Sequence, residues 1–326
     1  MFPKEIPTFA KVKLTMLDFF PYLKDKSILY KISTLVLIIA ISLVLLMVIG
    51  ILLAVPFFGT GFLKGFNAMN DFNDSTTIAF LKYFQVVNQI GVFILPALLY
   101  GYLENRNACS YLKIDQKPGI YLLFISILLI IAFIPAVNAM VWLNEQMKLP
   151  TFIKGIEDWM RESEDKTNLL TEAFLNVSTL GGLIINLFII GFLAALGEEF
   201  LFRGVILRLF SDGLKNTHLA VILSAILFSA FHLQFFGFLP RTALGILFGY
   251  IYVWSGSLWI PVILHFIFNG TTVVVAYLYQ NGFISTDIES FGVTDNVFII
   301  SASFIFTFLF LWIIYRNRGA AFLPAP

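Results

Sequence analysis

The feature that most constrains this chain is a series of apolar runs long enough to cross a lipid bilayer. A hydrocarbon core of about 30 Å needs about 20 apolar residues in a helix. Runs of this kind extend from Ile32 to Phe57, Ile78 to Leu103, Gly119 to Leu143 and Gly182 to Leu209. Others extend from His218 to Phe236, Arg241 to Trp254, Leu258 to Tyr279 and Val297 to Tyr315. Inside lipid the backbone must satisfy its own hydrogen bonds, and long continuous runs do so as helices. Composition closes off a soluble reading: 13% of the 326 residues are charged, against about 25% in a soluble domain. Aliphatic and aromatic residues take the place of the missing charge, 37 of them Phe. The expected fold class is therefore all-α, a polytopic integral membrane helix bundle of about eight transmembrane helices; the short sixth run makes the count approximate.

The first run lacks a small-residue cleavage site and reads as a retained helix. Lys4, Lys11, Lys13, Lys24, Lys26 and Lys31 precede it, which predicts a cytoplasmic N-terminus. Eight crossings return the C-terminus, with Arg316 and Arg318, to the same side. The acid-rich stretch Asn144 to Leu180 then lies on the opposite side. Within it Phe152, Ile153, Ile156, Trp159 and Met160 fall at helical spacing, which suits an amphipathic helix on the interface, although a solvated cap is the favoured reading. Leu14, Met16, Leu17, Phe19, Phe20 and Leu23 show the same pattern. The expected organisation is an N-terminal membrane region over 1–180, with three spans, a basic N-terminus and an acidic extramembrane loop over 144–180. A core over 181–280 and a C-terminal helix and tail over 281–326 follow. The expected location is a multi-pass place in a bacterial inner membrane.

A net charge of +1 supplies no general basic field, so nucleic acid is not an expected partner. A single cysteine, Cys109, excludes an internal disulfide framework and any four-thiolate cluster. It sits in the polar stretch Glu104 to Lys117, away from the histidines, and reads as a loop residue.

Ionisable residues inside a span cost several kcal/mol, which marks each as a functional candidate. They concentrate in the second half of the chain, in three clusters. In the fourth run, Glu198-Glu199-Phe200-Leu201-Phe202-Arg203 places Glu199 and Arg203 as i,i+4 partners in the favourable order. Glu198 points about 100° away from that pair, which leaves it unpaired and suited to act as a base. In the fifth run, Phe228 and His232 share a helix face, so the ring can restrict the imidazole. His232 can orient water, shuttle a proton or bind a metal, or it can be a plain buried histidine. In the seventh run, His265 and Asn269 present two N–H donors on one face, as an oxyanion requires. Interhelical hydrogen bonding by Asn269 is the structural alternative. His218, beside Asn216 and Thr217 at a span boundary, reads as interfacial. No HExxH, GxSxG, Walker or dinucleotide pattern occurs.

Glu198-Glu199-xxx-Arg203, Phe228-xxx-His232 and His265-xxx-Asn269, in this order on separate helices, resemble the CPBP family. These are the CAAX prenyl endopeptidases and the bacteriocin-processing or immunity (ABI) proteins. The resemblance covers about Gly182 to Tyr279. Gly245-xxx-Gly249, Ser257-Leu258 and Pro261 also fit it. It implies an intramembrane endopeptidase with a conical catalytic cavity in the C-terminal half, open toward membrane and cytosol. Glu198 would activate water with help from His232, His265 and Asn269 would hold the oxyanion, and Glu199 and Arg203, with Phe228, would support them. No cofactor is the expectation, because Asn269 beside His265 suits an oxyanion hole. Zinc on Glu198, His232 and His265, with one open position, is the alternative. The substrate implied is a membrane-embedded or lipidated peptide.

Two other classes compete. One is a non-proteolytic membrane partner, such as an immunity, secretion or assembly factor; a pure scaffold has no need of Glu198 and Asn269 in hydrocarbon. The other is a proton-coupled transporter, which the absence of repeated halves with paired broken helices disfavours. Lys82, Gln85, Asn88 and Gln89 would line such a path, or form a polar seam between helices.

Overall fold

The computed structural model of the protein describes residues 23–60 and 74–319. Lys4, Lys11, Lys13 and the apolar positions between Leu14 and Phe20 lie outside the described residues. Among the described residues the regular structure is helical, with no strand. Each of the eight apolar runs falls on a helix, and six of these are long and apolar enough to cross a membrane. They are α1 (Ile28–Phe58), α2 (Ser75–Asn105), α4 (Ile120–Glu145), α6 (Leu180–Leu214), α9 (Trp259–Gln280) and α10 (Val297–Arg316). The fifth and sixth runs form the shorter α7 (Thr217–Phe231) and α8 (Phe238–Ser255). A short α3 (Ala108–Leu112) and the amphipathic α5 (Lys154–Leu175) lie between spans.

Local chemistry explains the helix ends. Ser27, Asp74, Asn107, Thr179, Asn216 and Asn296 each accept a hydrogen bond from a backbone amide in the first turn of the helix that follows. Gly256, at a φ of 69 degrees, closes α8 in the left-handed conformation that glycine adopts without penalty.

The helices α2, α6, α7, α8 and α9 form the packed centre, with α1 against α2 and α10 against α4 on the periphery. One apolar core joins α2 to α6 through Phe93, Ala97, Tyr100, Phe200, Phe202 and Val205. A second joins α4, α8 and α9 through Leu129, Phe133, Leu247, Ile251, Ile260 and Leu264. Outward-facing Leu29, Val44, Leu52, Phe298 and Phe308 leave α1 and α10 with apolar outer surfaces, as a lipid-facing helix requires.

Hydrogen bonds define the two ends of the bundle. At one end Leu23 N–H donates to Leu103 O, Lys31 pairs with Glu104 at 2.6 Å, and Leu258 N–H donates to Lys113 O. Lys24, Lys26, Arg106, Lys117 and Arg316 sit at this end. At the other end Asn144 holds Phe235 O and the Leu239 amide, and Val177 meets Gln280 and Asn281. The acid-rich α5 lies there.

Two spans change helical pitch where they meet. α2 is π-helical over Gln89–Ile94, and α6 is π-helical over Leu187–Leu193 and Phe200–Leu207. A π segment rearranges the carbonyl ladder and re-aims the side chains beyond it, and such segments concentrate at functional sites. Neighbouring helices take up two of these carbonyls: Asn269 donates to Ile190 O at 3.2 Å, and Ser224 donates to Phe202 O at 3.0 Å.

Candidate functional site

Glu198 and Glu199 lie between the two π segments of α6, both buried. Their carboxylates diverge. Glu199 Oε1 accepts from Arg203 Nη1 at 2.7 Å, one helical turn away, with both side chains essentially inaccessible. It also accepts from His265 Nδ1 at 2.8 Å, across to α9. Arg203 in turn donates to Gly245 O at 3.3 Å and lies 4.5 Å above the Phe228 ring. A buried carboxylate facing an arginine and an imidazole N–H has its charge compensated on both sides.

Glu198 faces the two histidines instead. Its Oε2 lies 3.7 Å from His265 Nε2 and 3.9 Å from His232 Nε2. Both separations exceed hydrogen-bond contact. His232 follows the last residue of α7, and its Nδ1 donates to Phe228 O at 2.9 Å. With Nδ1 of each ring committed as a donor, the neutral tautomer of each leaves Nε2 as a bare acceptor aimed at Glu198. Three acceptor atoms then point toward one another, an arrangement stabilised by a proton or a cation between them.

The donor types suit zinc, whose tetrahedral ligands stand about 3.3 Å apart. The separations found are wider, and among the described residues no group of three His, Cys, Asp or Glu side chains is arranged to hold a metal ion. The residues as placed do not fit a metal.

Aromatic rings fix the imidazoles. Phe228 meets His232 edge-on at 5.0 Å and His265 at 6.0 Å, while Phe248 lies 5.4 Å from His265. Asn269 sits one turn beyond His265 on α9, with one amide N–H committed to Ile190 O. The interhelical bond is thus formed, and a second N–H remains for another acceptor. His218 pairs with Tyr250 Oη at 2.8 Å in the first turn of α7, away from this cluster, and Cys109 is exposed.

Phe248 joins the site without having been singled out from the sequence, whereas Gly245 entered only with the family resemblance and Gln89 only as part of a polar seam. Phe248 sits on α8 in an ordinary apolar pattern that carries no sign of contact with His265. Gln89 is buried in the π segment of α2, and a Cβ on Gly197 would lie 2.9 Å from its Oε1. A cavity of about 230 Å³ lies between α4 and α9, lined by Ile134, Val137, Phe268, Thr272, Ile288 and Phe291 among others. Glu198, His232, His265 and Asn269 do not line it.

Residues 180–271 match the model of a family described as Rce1-like, type II CAAX prenyl endopeptidase. That segment contains all three clusters, and its family is the one that they resemble. A stretch of 81 residues is 33% identical to a Bacillus subtilis (strain 168) protein named "Uncharacterized protein YpbD". The stretch covers 24% of this chain and 38% of that relative's length. No solved structure matches the chain.

Proposed function

We propose, starting from the Rce1-like domain over residues 180–271, that this multi-pass membrane protein hydrolyses a peptide bond of a membrane-embedded or lipidated substrate with a glutamate-activated water. The observation that carries this reading is the division of labour between adjacent carboxylates. Glu199 is held by Arg203 and His265, whereas Glu198 faces the two imidazole Nε2 atoms and makes no ion pair with a Lys or Arg among the described residues.

In this mechanism His265 carries a proton on Nε2 while its Nδ1–H is held by Glu199. Glu198 is then ionised and accepts a hydrogen from water, while His232 Nε2 accepts the other and orients it. The water oxygen bonds to the scissile carbonyl carbon, its proton passes to Glu198, and the carbonyl electron pair moves onto oxygen. His265 Nε2–H and the second N–H of Asn269 donate to that oxyanion. The intermediate collapses as the C–N bond breaks, and Glu198 returns its proton to the leaving amine. The products are an acid and an amine, with the water consumed and the protein unchanged.

The alternative carried from the sequence is a zinc ion that Glu198, His232 and His265 would hold, and it would require the donors to lie closer together than they do here. The test compares wild type with Glu198→Ala in lipid nanodiscs, incubated with a library of membrane and lipidated peptides, with and without chelator. Cleavage by wild type alone, surviving chelation, supports the glutamic mechanism. Activity lost to chelator and restored by zinc favours the metal reading. Full activity in Glu198→Ala would sink both. No cleavage by wild type across the library favours a non-proteolytic membrane partner built on the same fold.

A further inference from the structure

The helix α5 lies outside the segment that matches the family, yet it contacts the loop that leaves His232. His232 ends α7, and Leu233 directly after it adopts a left-handed φ of 53 degrees, a conformation disfavoured for a residue with a Cβ. The chain therefore turns sharply, and contacts made by residues 234–237 must hold the turn. On the inner side Arg241 donates to Gln234 O at 3.0 Å and Asn144 donates to Phe235 O at 2.9 Å. On the outer side α5 supplies the contacts. Glu164 Oε2 accepts from the Phe236 amide at 2.9 Å, and the Arg161 guanidinium lies 4.3 Å above the Phe236 ring. Trp159 packs on Phe235 with ring centroids 5.3 Å apart, and Gln234 donates to Asn168 at 3.4 Å.

Arg161, Glu164 and Asn168 share one face of α5, and together with Trp159 their contacts converge on three consecutive residues, Gln234, Phe235 and Phe236. Elsewhere α5 touches the bundle lightly, against α2 and α9. The Glu164 bond is charge-assisted and fixes a backbone amide only four residues from His232, so it acts on the direction in which the imidazole is presented. The other contacts that hold the ring come from its own helix, the Nδ1 bond to Phe228 O and the Phe228 ring edge-on at 5.0 Å, and its side chain is 28% accessible.

We propose that Glu164 is a positioning residue for His232, acting through the Phe236 amide, and that α5 is the clamp that holds the His232 loop in its working geometry. The proposal rests on the hydrolase reading for the consequence to activity, but the positioning itself is read without activity. With three histidines in the chain, selective ¹³C labelling of His in nanodiscs gives one resonance set per ring. Glu164→Ala is expected to shift and broaden the His232 signal while leaving His218 at the opposite end unchanged, and Glu164→Gln, which keeps an acceptor, is expected to restore it. A His232 signal identical in wild type and Glu164→Ala overturns the proposal, as does a shift that Glu164→Gln leaves uncorrected. In the cleavage assay Glu164→Ala is expected to lower kcat about 10- to 100-fold with KM little changed, because small misplacements of a reacting group act on kcat. A normal kcat in Glu164→Ala beside an inactive Glu198→Ala also overturns it. Undiminished cleavage by Glu198→Ala would instead sink the hydrolase reading and leave the spectroscopic result to decide the clamp.

Discussion

Replacing Glu199 by alanine removes the acceptor of two buried bonds at once. Arg203 loses its 2.7 Å partner and keeps only Gly245 O at 3.3 Å and the faces of Phe228 and Phe248. His265 loses the 2.8 Å bond that fixes its tautomer. Arg203 is 1% exposed, so water cannot take over from the carboxylate. Leaving one member of a buried pair uncompensated costs about 3–5 kcal/mol, a large share of a stability of about 5–15 kcal/mol. Glu199→Ala is therefore expected to express poorly and to melt well below wild type in nanodiscs. The double variant Glu199→Met/Arg203→Met removes both charges and is expected to recover most of that stability, since apolar replacement of a buried pair is often neutral. It remains inactive, because His265 Nδ1 still lacks its carboxylate. The readouts are thermal unfolding followed by tryptophan fluorescence and peptide cleavage by the same preparations. A Glu199→Ala protein with wild-type melting and full activity would refute the reasoning, and so would a double variant less stable than the single one.

Asn269→Ala is expected to slow turnover about 100-fold while leaving KM nearly unchanged, as for loss of an oxyanion donor; a collapse in binding with normal residual turnover would make Asn269 structural. Gly245→Ala puts a Cβ 2.8 Å from Ala225 Cβ and 3.0 Å from its Cα, so α7 and α8 must separate, with a loss of about 1–3 kcal/mol in unfolding measurements; unchanged melting would contradict the close approach. Outside the spans, the Arg161 hydrogen bond holds the Glu157 carboxyl below its ordinary value, helped by the Leu149 amide. A depressed carboxylate stabilises above its unfolded value of about 4.3 and loses that contribution as pH falls through the folded one. Hydrogen exchange should accordingly show the N-terminal half of α5 loosening as pH is lowered from 5 toward 3; protection that instead falls as pH rises would reverse the assignment.

Much of the site was legible because it is local. The i,i+4 spacing of Glu199 and Arg203, and the 100° offset of Glu198, follow from helix geometry before any packing is known. Phe228 against His232 is legible in the same way. The bond from His265 to Glu199 was not, since it joins residues 66 apart in sequence through the register of α6 against α9. It changes the chemistry of His265, whose Nε2 donates only when the ring is charged. Asn269 shows the same limit: its spacing advertises a donor, and only the π segment in α6 brings Ile190 O within reach of it.

The sequence by itself determined that the chain is a helical membrane protein, where its helices run and which carboxylate pairs with which arginine. Hydropathy and helical periodicity act within a few turns, so they are readable one segment at a time. Tertiary structure alone decided that Glu198 faces two histidines, that an apolar cavity opens between α4 and α9, and that α5 contacts the His232 loop. Each of these depends on how helices are rotated and staggered against one another. That register is fixed by side-chain interlocking and by π-helical shifts in pitch, and no local pattern encodes it.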